Sequence, residues 1–448
     1  MRHILLSSIG KGQYDHKTKV MRYQRADYTM GFSKEYISST HVYDALLNLQ
    51  KDKRIDKIIF MGTAGSNWYL MYEHLFEEDS IIKPTLQYDE TYALRLLQLE
   101  EESKKNAYID VSAVKKDLQQ LKETMGDLCL DIVVLKYGVS EEEMYDNFRL
   151  LAETRKYIQK GDVLSFDITH SFRSLAFYGL LAINFLNMAA GNDRKLNLVS
   201  YGMFEYKSYH EEKTPIINQA PLIELLDWTK AAEEYQRFGT TYLLSGLLED
   251  GSLQIDMGVQ ERLAIGRLGD MVSINNIGEI KNMVKNCQKI VAAGGSGNVA
   301  VDYIFEDIVK RFGKAVDDDA NLVCTLAKWH IEKKRYVVAG IMTIEHFVRK
   351  CGDLSGLQDE SIRNRLKRNY KKIKKSRYRE RKDDKIEQFL HKYEAIRIYR
   401  NKLCHDGSLS ATELPKLDKN IQEIFDIYEK LEKDAVAREY FREYLTEP

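Results

Sequence analysis

Short apolar runs rich in β-branched residues alternate with longer amphipathic stretches through residues 1–205. The runs His3–Ile9, Lys57–Met61, Asp131–Lys136, Val163–Ile168 and Leu196–Tyr201 predict strands. Between them, Tyr36–Gln50, Thr91–Leu99, Val111–Thr124, Glu141–Ile158 and Ser174–Ala190 carry helical spacing. Strands that are apolar along their length and separated by helices form a parallel sheet covered on both faces. Residues 10–33 break the rhythm: polar and Tyr-rich, with short alternating runs, they read as a hairpin-like insertion after the first strand.

The pattern changes near Pro215 and Pro221, and from Pro221 onward it is almost wholly helical. The Gly294-Gly295-Ser296-Gly297 cluster marks a turn, Val323–Val348 reads as one long amphipathic helix, and Lys385–Cys404 and Leu414–Glu432 as two more. The fold class is therefore α/β plus all-α: a Rossmann-like parallel-sheet domain over 1–210, a helical connecting region over 211–320 and a helical domain over 321–448. Helix Ser174–Ala190 is apolar nearly all round, so every side of it needs cover, and a second copy of the same chain is the simplest source.

Composition narrows the function. With 67 Lys+Arg against 68 Asp+Glu in 448 residues, there is no global pull toward nucleic acid or membrane. Five scattered cysteines without a CxxC suit a reducing cytoplasm and give no zinc framework. No apolar stretch reaches the ~20 residues of a membrane span. One local exception is Arg363–Lys382, where 12 of 20 residues are Lys or Arg. It reads equally as a solvated loop or as a phosphate-binding patch.

Ligands of open parallel α/β sheets bind beyond the carboxyl ends of the strands. Here those loops are Ser7–Gly12, Gly62–Trp68, Lys136–Gly138, Asp167–Arg173 and Gly202–Glu205. They are rich in glycine, hydroxyls and aromatics, which suit phosphate oxygens and stacked bases. His170 and Arg173 add charge-assisted bonds. There is neither a complete GxGxxG nor a GxxxxGK[ST], which argues against a nicotinamide cofactor and a P-loop ATPase.

In the helical half, Arg400-Asn401-Lys402-Leu403-Cys404-His405 has the form R-N-x-x-x-H, with Gly407 as the helix stop. Arg400 follows Phe389, Tyr393 and Ile396 by 11, 7 and 4 residues, on one helical stripe with them. An arginine and a near-neutral histidine suit RNA cleavage without a metal. The bland alternative is capping or packing. Glu345 and His346, on the long helix, read either as facing the same cleft as Arg400 and His405 or, better, as an exposed polar pair beside Phe347.

These parts, in this order, resemble the CRISPR-associated ribonucleases of type III systems that join a CARF sensor domain to a HEPN nuclease domain. The carriers are Asp167-Ile168-Thr169-His170-Ser171-Phe172-Arg173, similar to a D-x-T-H-G-F-R signature with Ser171 in place of Gly, the Gly62–Trp68 loop, and Arg400–His405. The resemblance implies a homodimer that binds one cyclic oligoadenylate, with cyclic tetra-adenylate as the expected ring, across its CARF domains. Ser8, Gly10, Thr63, Ser66, Thr169, His170 and Arg173 are then the ligand residues. Arg400 and His405 are the catalytic pair, supported by Asn401. The resemblance implies that they cleave single-stranded RNA under allosteric control and without a metal, to 2′,3′-cyclic phosphate ends, with no resident cofactor. Two rival readings are a non-catalytic, nucleotide-sensing regulator that binds nucleic acid through residues 363–382, and a sensor that degrades its own ring through His170 or Arg173.

Overall fold

The computed structural model describes residues 2–447 except 16–19, 51–52, 107–108, 172, 190–195, 251–257, 259–261, 263–265, 376–383, 407–409 and 411. It divides into two compact units, 1–225 and 226–448. Among the described residues no helix is long and apolar enough to cross a membrane.

The first unit is built on strands β1 His3–Ser8, β2 Gln13–Asp15, β3 Val20–Arg22, β4 Ala26–Met30, β5 Tyr36–Ser39, β6 Lys57–Thr63, β7 Cys129–Leu135, β8 Val163–Asp167, β9 Leu196–Gly202 and β10 Thr214–Asn218. Eight of them form one sheet in the order β5-β4-β10-β9-β8-β1-β6-β7. The five from β9 to β7 are parallel; at the added edge β10 pairs antiparallel with β9, β4 parallel with β10, and β5 antiparallel with β4. Strand β10 extends the sheet past residue 210. Strands β2 and β3 form a separate hairpin, as the polar insertion predicts, whereas Tyr28–Met30 belongs to the main sheet.

Helices α1 Val42–Leu49, α2 Trp68–His74, α3 Glu90–Lys105, α4 Val111–Asp117 and α5 Gln119–Thr124 supply one face of that sheet with Leu46, Met71, Leu96, Val114 and Leu121. The other face packs on α6 Glu141–Ala152 and α7 Arg173–Ala189, through Leu151, Ala182, Ile183 and Leu186. Alternate residues of β1 go to opposite faces, Leu5 to the first and Ile4 and Leu6 to the second, because side chains in a strand alternate. Gly179 is needed where α7 crosses β8: a Cβ there would stand 1.9 Å from Cζ of Phe166. The opposite edge of α7 is bare, with Phe177, Leu181 and Met188 all more than half exposed.

Two helix predictions are corrected. Tyr36–Gln50 is a strand and then a helix: β5 pairs antiparallel with β4, and His41 caps α1 in an extended conformation, its N–H donating to Ser39 Oγ. The Ser39 and Thr40 hydroxyls bond locally, to Asp44 and His41, and so favour that break. Val323–Val348 is likewise two helices.

The second unit contains α9 Tyr242–Asp250, α10 Leu268–Ser273, α11 Ile277–Ala292, α12 Val299–Phe312, α13 Asp319–Glu332, α14 Tyr336–Ser355, α15 Asp359–Lys375, α16 Asp384–Asn401, α17 Leu414–Lys433 and α18 Ala435–Thr446. Helix α8, Ala220–Phe238, straddles the division. Helices α13 and α14 part at Lys334, which adopts φ 58°. Arg335 fixes the corner by donating to Gly239 O and Ser273 Oγ at 3.2 and 2.8 Å. One core runs from Trp228 to Leu445, so residues 226–320 and 321–445 bury their apolar faces together.

That core contains a fully buried histidine, His330, whose two ring nitrogens have no partner among the described residues. Burial, with the Arg335 charge adding to it, lowers its pKa to about 3. An unfolded histidine titrates near 6.5, so between those values the unfolded chain holds the extra proton. Stability present above pH 6.5 is therefore lost as the pH falls, by up to ~1.4 kcal/mol per pH unit from this group. Urea melts of the second unit at pH 7 and pH 5 are expected to show the lower midpoint at pH 5, and His330→Phe to flatten the difference.

Candidate functional site

Strand β1 lies between β8 and β6, and the chain leaves it in one direction and returns on the other side. The loops after β1 and β8 therefore part around a switch point, where parallel sheets open a crevice. A cavity of ≈ 290 Å³ lies there. Its walls are Gly10, Lys11 and Gly12 after β1, Tyr23, Gln24 and Tyr28 around β4, Thr169, His170 and Ser171 after β8, and Tyr201, Gly202, Phe204 and Glu205 from the end of β9.

Asp167, fully buried at the end of β8, organises this crevice. One of its oxygens accepts from the Thr169 N–H and hydroxyl at 3.1 and 2.7 Å, and the other accepts from Ser7 Oγ at 2.9 Å. The Thr169 oxygen in turn accepts the Gly202 N–H at 2.8 Å, tying β9 to the turn. On the facing side, Gly10 O accepts from Tyr23 O–H at 2.7 Å and from Asn67 N–H at 2.8 Å. Burial raises the pKa values of Tyr23 and Tyr28, the latter with the Asp167 charge assisting, so both phenols stay neutral.

Of the predicted ligand residues, Gly10, Thr169 and His170 line the cavity. Ser8, Thr63 and Ser66 are buried away from it. Ser66 Oγ donates to Ile9 O at 2.6 Å and accepts the Thr63 N–H at 2.9 Å, which braces the loop after β1. Arg173 begins α7, but its side chain and Phe172 lie outside the described residues. Sequence reasoning passed over the aromatic wall of Tyr23, Tyr28 and Tyr201. Its one signal was the unusual tyrosine content of residues 10–33.

Gly10 is essential to this geometry, since a Cβ there would stand 2.3 Å from the backbone oxygen of His170. Neither loop can yield without moving the other. Gly10→Ala is expected to weaken ligand binding at least tenfold while leaving the unfolding midpoint of the second unit unchanged, as read by titration calorimetry and by melts.

In the second unit, Arg400 stands one residue before the end of α16. Gly340 of α14 faces its stem: a Cβ there would lie 3.4 Å from Cβ of Arg400. Arg400 is half-buried, and its Nε is sealed from solvent with no hydrogen-bond partner among the described residues. The chain then widens into a π-helical turn, Lys402–Asp406. In a regular α-helix residues five apart diverge around the axis, whereas an i→i+5 turn brings them toward one side. Lys402 anchors the turn by pairing with Glu413 at 2.8 Å, an interaction that, with bonds from Ser410, pulls the Glu413 pKa down to about 2. Leu403 packs on the core, while Asn401 is half-buried and His405 is exposed. Gly407 lies outside the described residues.

Much of the basic run is a helix, α15, and its arginines act as staples. Arg363 pairs with Glu345, Arg365 donates to Leu445 O at 2.9 Å, and Arg368 donates to Glu447 O at 2.9 Å. Lys367, Lys371 and Lys372 are exposed, and residues 376–382 lie outside the described residues. Glu345 and His346 are not the exposed pair that was predicted. Glu345 holds Arg363, and His346 lies among the rings of Phe347 and Phe425, where burial lowers its pKa to about 4. Among the described residues one group has metal-ligand proximity, His74 with Glu77 and Asp79, and it includes none of these site residues.

Residues 224–320 match the family model described as CRISPR-associated protein MJ1674, second domain. Along 422 residues the chain is 24% identical to CRISPR-associated protein MJ1674 of Methanocaldococcus jannaschii, covering 90% of this chain and 62% of the relative. The chain thus spans about three fifths of that relative's length. Among solved structures, Enterococcus italicus Csm6 bound to cyclic hexa-2′-fluoro-hexa-dAMP aligns over 99% of this chain and 97% of its own, with 11% identity and a TM-score of 0.36.

Proposed function

We propose that this protein is a CRISPR-associated, ligand-gated endoribonuclease. The first unit senses a cyclic oligoadenylate and the second cleaves single-stranded RNA. The observation that carries the reading is the Asp167–Ser171 turn facing Gly10 across the switch point: a polar floor and aromatic walls around one cavity suit phosphates and stacked bases together. The likeness to a CRISPR-associated relative over most of the chain supports it. The bare apolar edge of α7 supports a homodimer, in which one ring spans two cavities.

At the second site His405 takes the proton of the ribose 2′-hydroxyl as that oxygen attacks phosphorus. Arg400 neutralises the charge gathering on the non-bridging oxygens. The bond from phosphorus to the 5′-oxygen breaks, that oxygen takes a proton, and a 2′,3′-cyclic phosphate remains. The Nε of Arg400, without a hydrogen-bond partner among the described residues, supports a role toward an anion. Asn401 helps to hold the pair. Ligand control requires that the ring bind the active arrangement more tightly than the inactive one.

The test is incubation of an unstructured RNA in EDTA with cyclic oligoadenylates of four and six units. Ring-dependent cleavage, strongest with cyclic tetra-adenylate, is expected. Tight duplex DNA binding with no cleavage would instead establish a non-catalytic regulator, and chromatography of the ring after incubation reports whether it is also degraded.

A further inference from the structure

One polar group of the cavity wall is left unused by the scaffold around it. His170 is half-buried, yet its Nε2 is sealed from solvent and has no hydrogen-bond partner among the described residues. Its ring packs against Tyr23 with centroids 4.9 Å apart and lies 6.4 Å from the ring of His41 at the head of α1. The other charged or titratable groups facing this cavity are few. Asp167 is already engaged by Thr169 and Ser7, Lys11 leans over the ring of Tyr137, and Glu205 accepts from Tyr201. Tyr28 is a neutral phenol. Lys11 and Glu205 offset each other, so an arriving phosphodiester finds little net positive charge among the described side chains.

We infer that the cavity takes up a proton when its anionic ligand binds, His170 becoming the cation that faces a ligand phosphate. The inference rests on the proposed sensing role. The proton comes from solvent, and no bond to phosphorus changes. Burial holds His170 below the ordinary histidine range against the pull of Asp167, and a phosphate at van der Waals distance reverses that balance. Burial, with His74 and His170 nearby, keeps the pKa of His41 well below that range, which limits uptake to one proton per cavity.

Titration calorimetry of the full chain with cyclic tetra-adenylate and cyclic hexa-adenylate tests this, near pH 6.5 and again near pH 8.5, in buffers of different ionisation heat. The phosphodiesters do not titrate in that range. At the lower pH the apparent heat should vary with buffer with a slope approaching about one proton per cavity, and at the higher pH the slope should vanish. Affinity should strengthen by up to about tenfold per pH unit on acidification. His170→Asn, with His170→Gln as a second variant and circular dichroism as the check on folding, should still bind but with a flat buffer dependence. His41→Asn should keep the slope. Binding with buffer-independent heats at both pH values overturns the inference, as does a slope that survives in His170→Asn. Absence of binding heat with either ring overturns the sensing role itself.

Discussion

His405→Ala is expected, under the proposed function, to lower ring-stimulated RNA cleavage by about 10²–10⁴-fold, the span of a positioned general acid–base group, and to leave ring binding unchanged. Arg400→Ala removes the charge that, in the proposed mechanism, meets the developing phosphorane, and is expected to cost at least as much. Arg400→Lys should recover little, because a lysine ammonium cannot reproduce the planar fork of donors. The two losses should not add in the double variant, since both groups serve one step. The assay is product formation under single-turnover conditions, with ring affinity measured in parallel. Full activity in either alanine variant removes the second unit's site from the mechanism.

Phe347→Ala should be the most damaging single core change in the second unit. Phe347 is fully buried, and the rings of His346, Phe389, Phe425 and Tyr428 surround it at 5.1, 5.3, 5.1 and 5.2 Å between centroids. Truncation strips the apolar transfer energy of a phenyl ring and leaves a cavity that four neighbouring rings cannot collapse into, a loss of about 3–5 kcal/mol. Phe347→Leu keeps most of the volume and should cost less. Urea unfolding followed by intrinsic fluorescence separates the two. Because the chain has two units, the expected signature is a shift of one transition with the other left in place.

Particular residues show why parts of this molecule could be read early. The runs at His3–Ile9 and Val163–Ile168 are strands to within a residue or two, since a densely apolar run that short fits a strand buried on both faces better than a helix. Ser174–Ala190 is a helix for a related reason, and its excess of apolar surface is visible as the bare edge at Phe177 and Leu181. The corner at Lys334 escaped the periodicity because the apolar positions of α13 and α14 stay in phase across it. What makes the chain turn there is the grip of Arg335 on Gly239 and Ser273, residues more than sixty positions away. The seven predicted ligand residues illustrate the same divide. Thr169 and His170 reach the cavity, while Ser66, of equally suitable chemistry, spends its hydroxyl on bracing the neighbouring loop, and the Thr63 hydroxyl is buried with no partner among the described residues.

From the amino-acid order alone one could read the two-part architecture, the strand-end loops rich in ligand-binding chemistry, and the place of Arg400 and His405 near a helix end. All of these follow from local periodicity and residue type, which act over a few positions. The folded chain was required to bring Tyr23 from the insertion onto the same cavity as His170, to turn Arg363, Arg365 and Arg368 inward as staples, and to widen the helix after Asn401. Those outcomes depend on contacts between residues far apart in the chain, whose energies no local pattern contains.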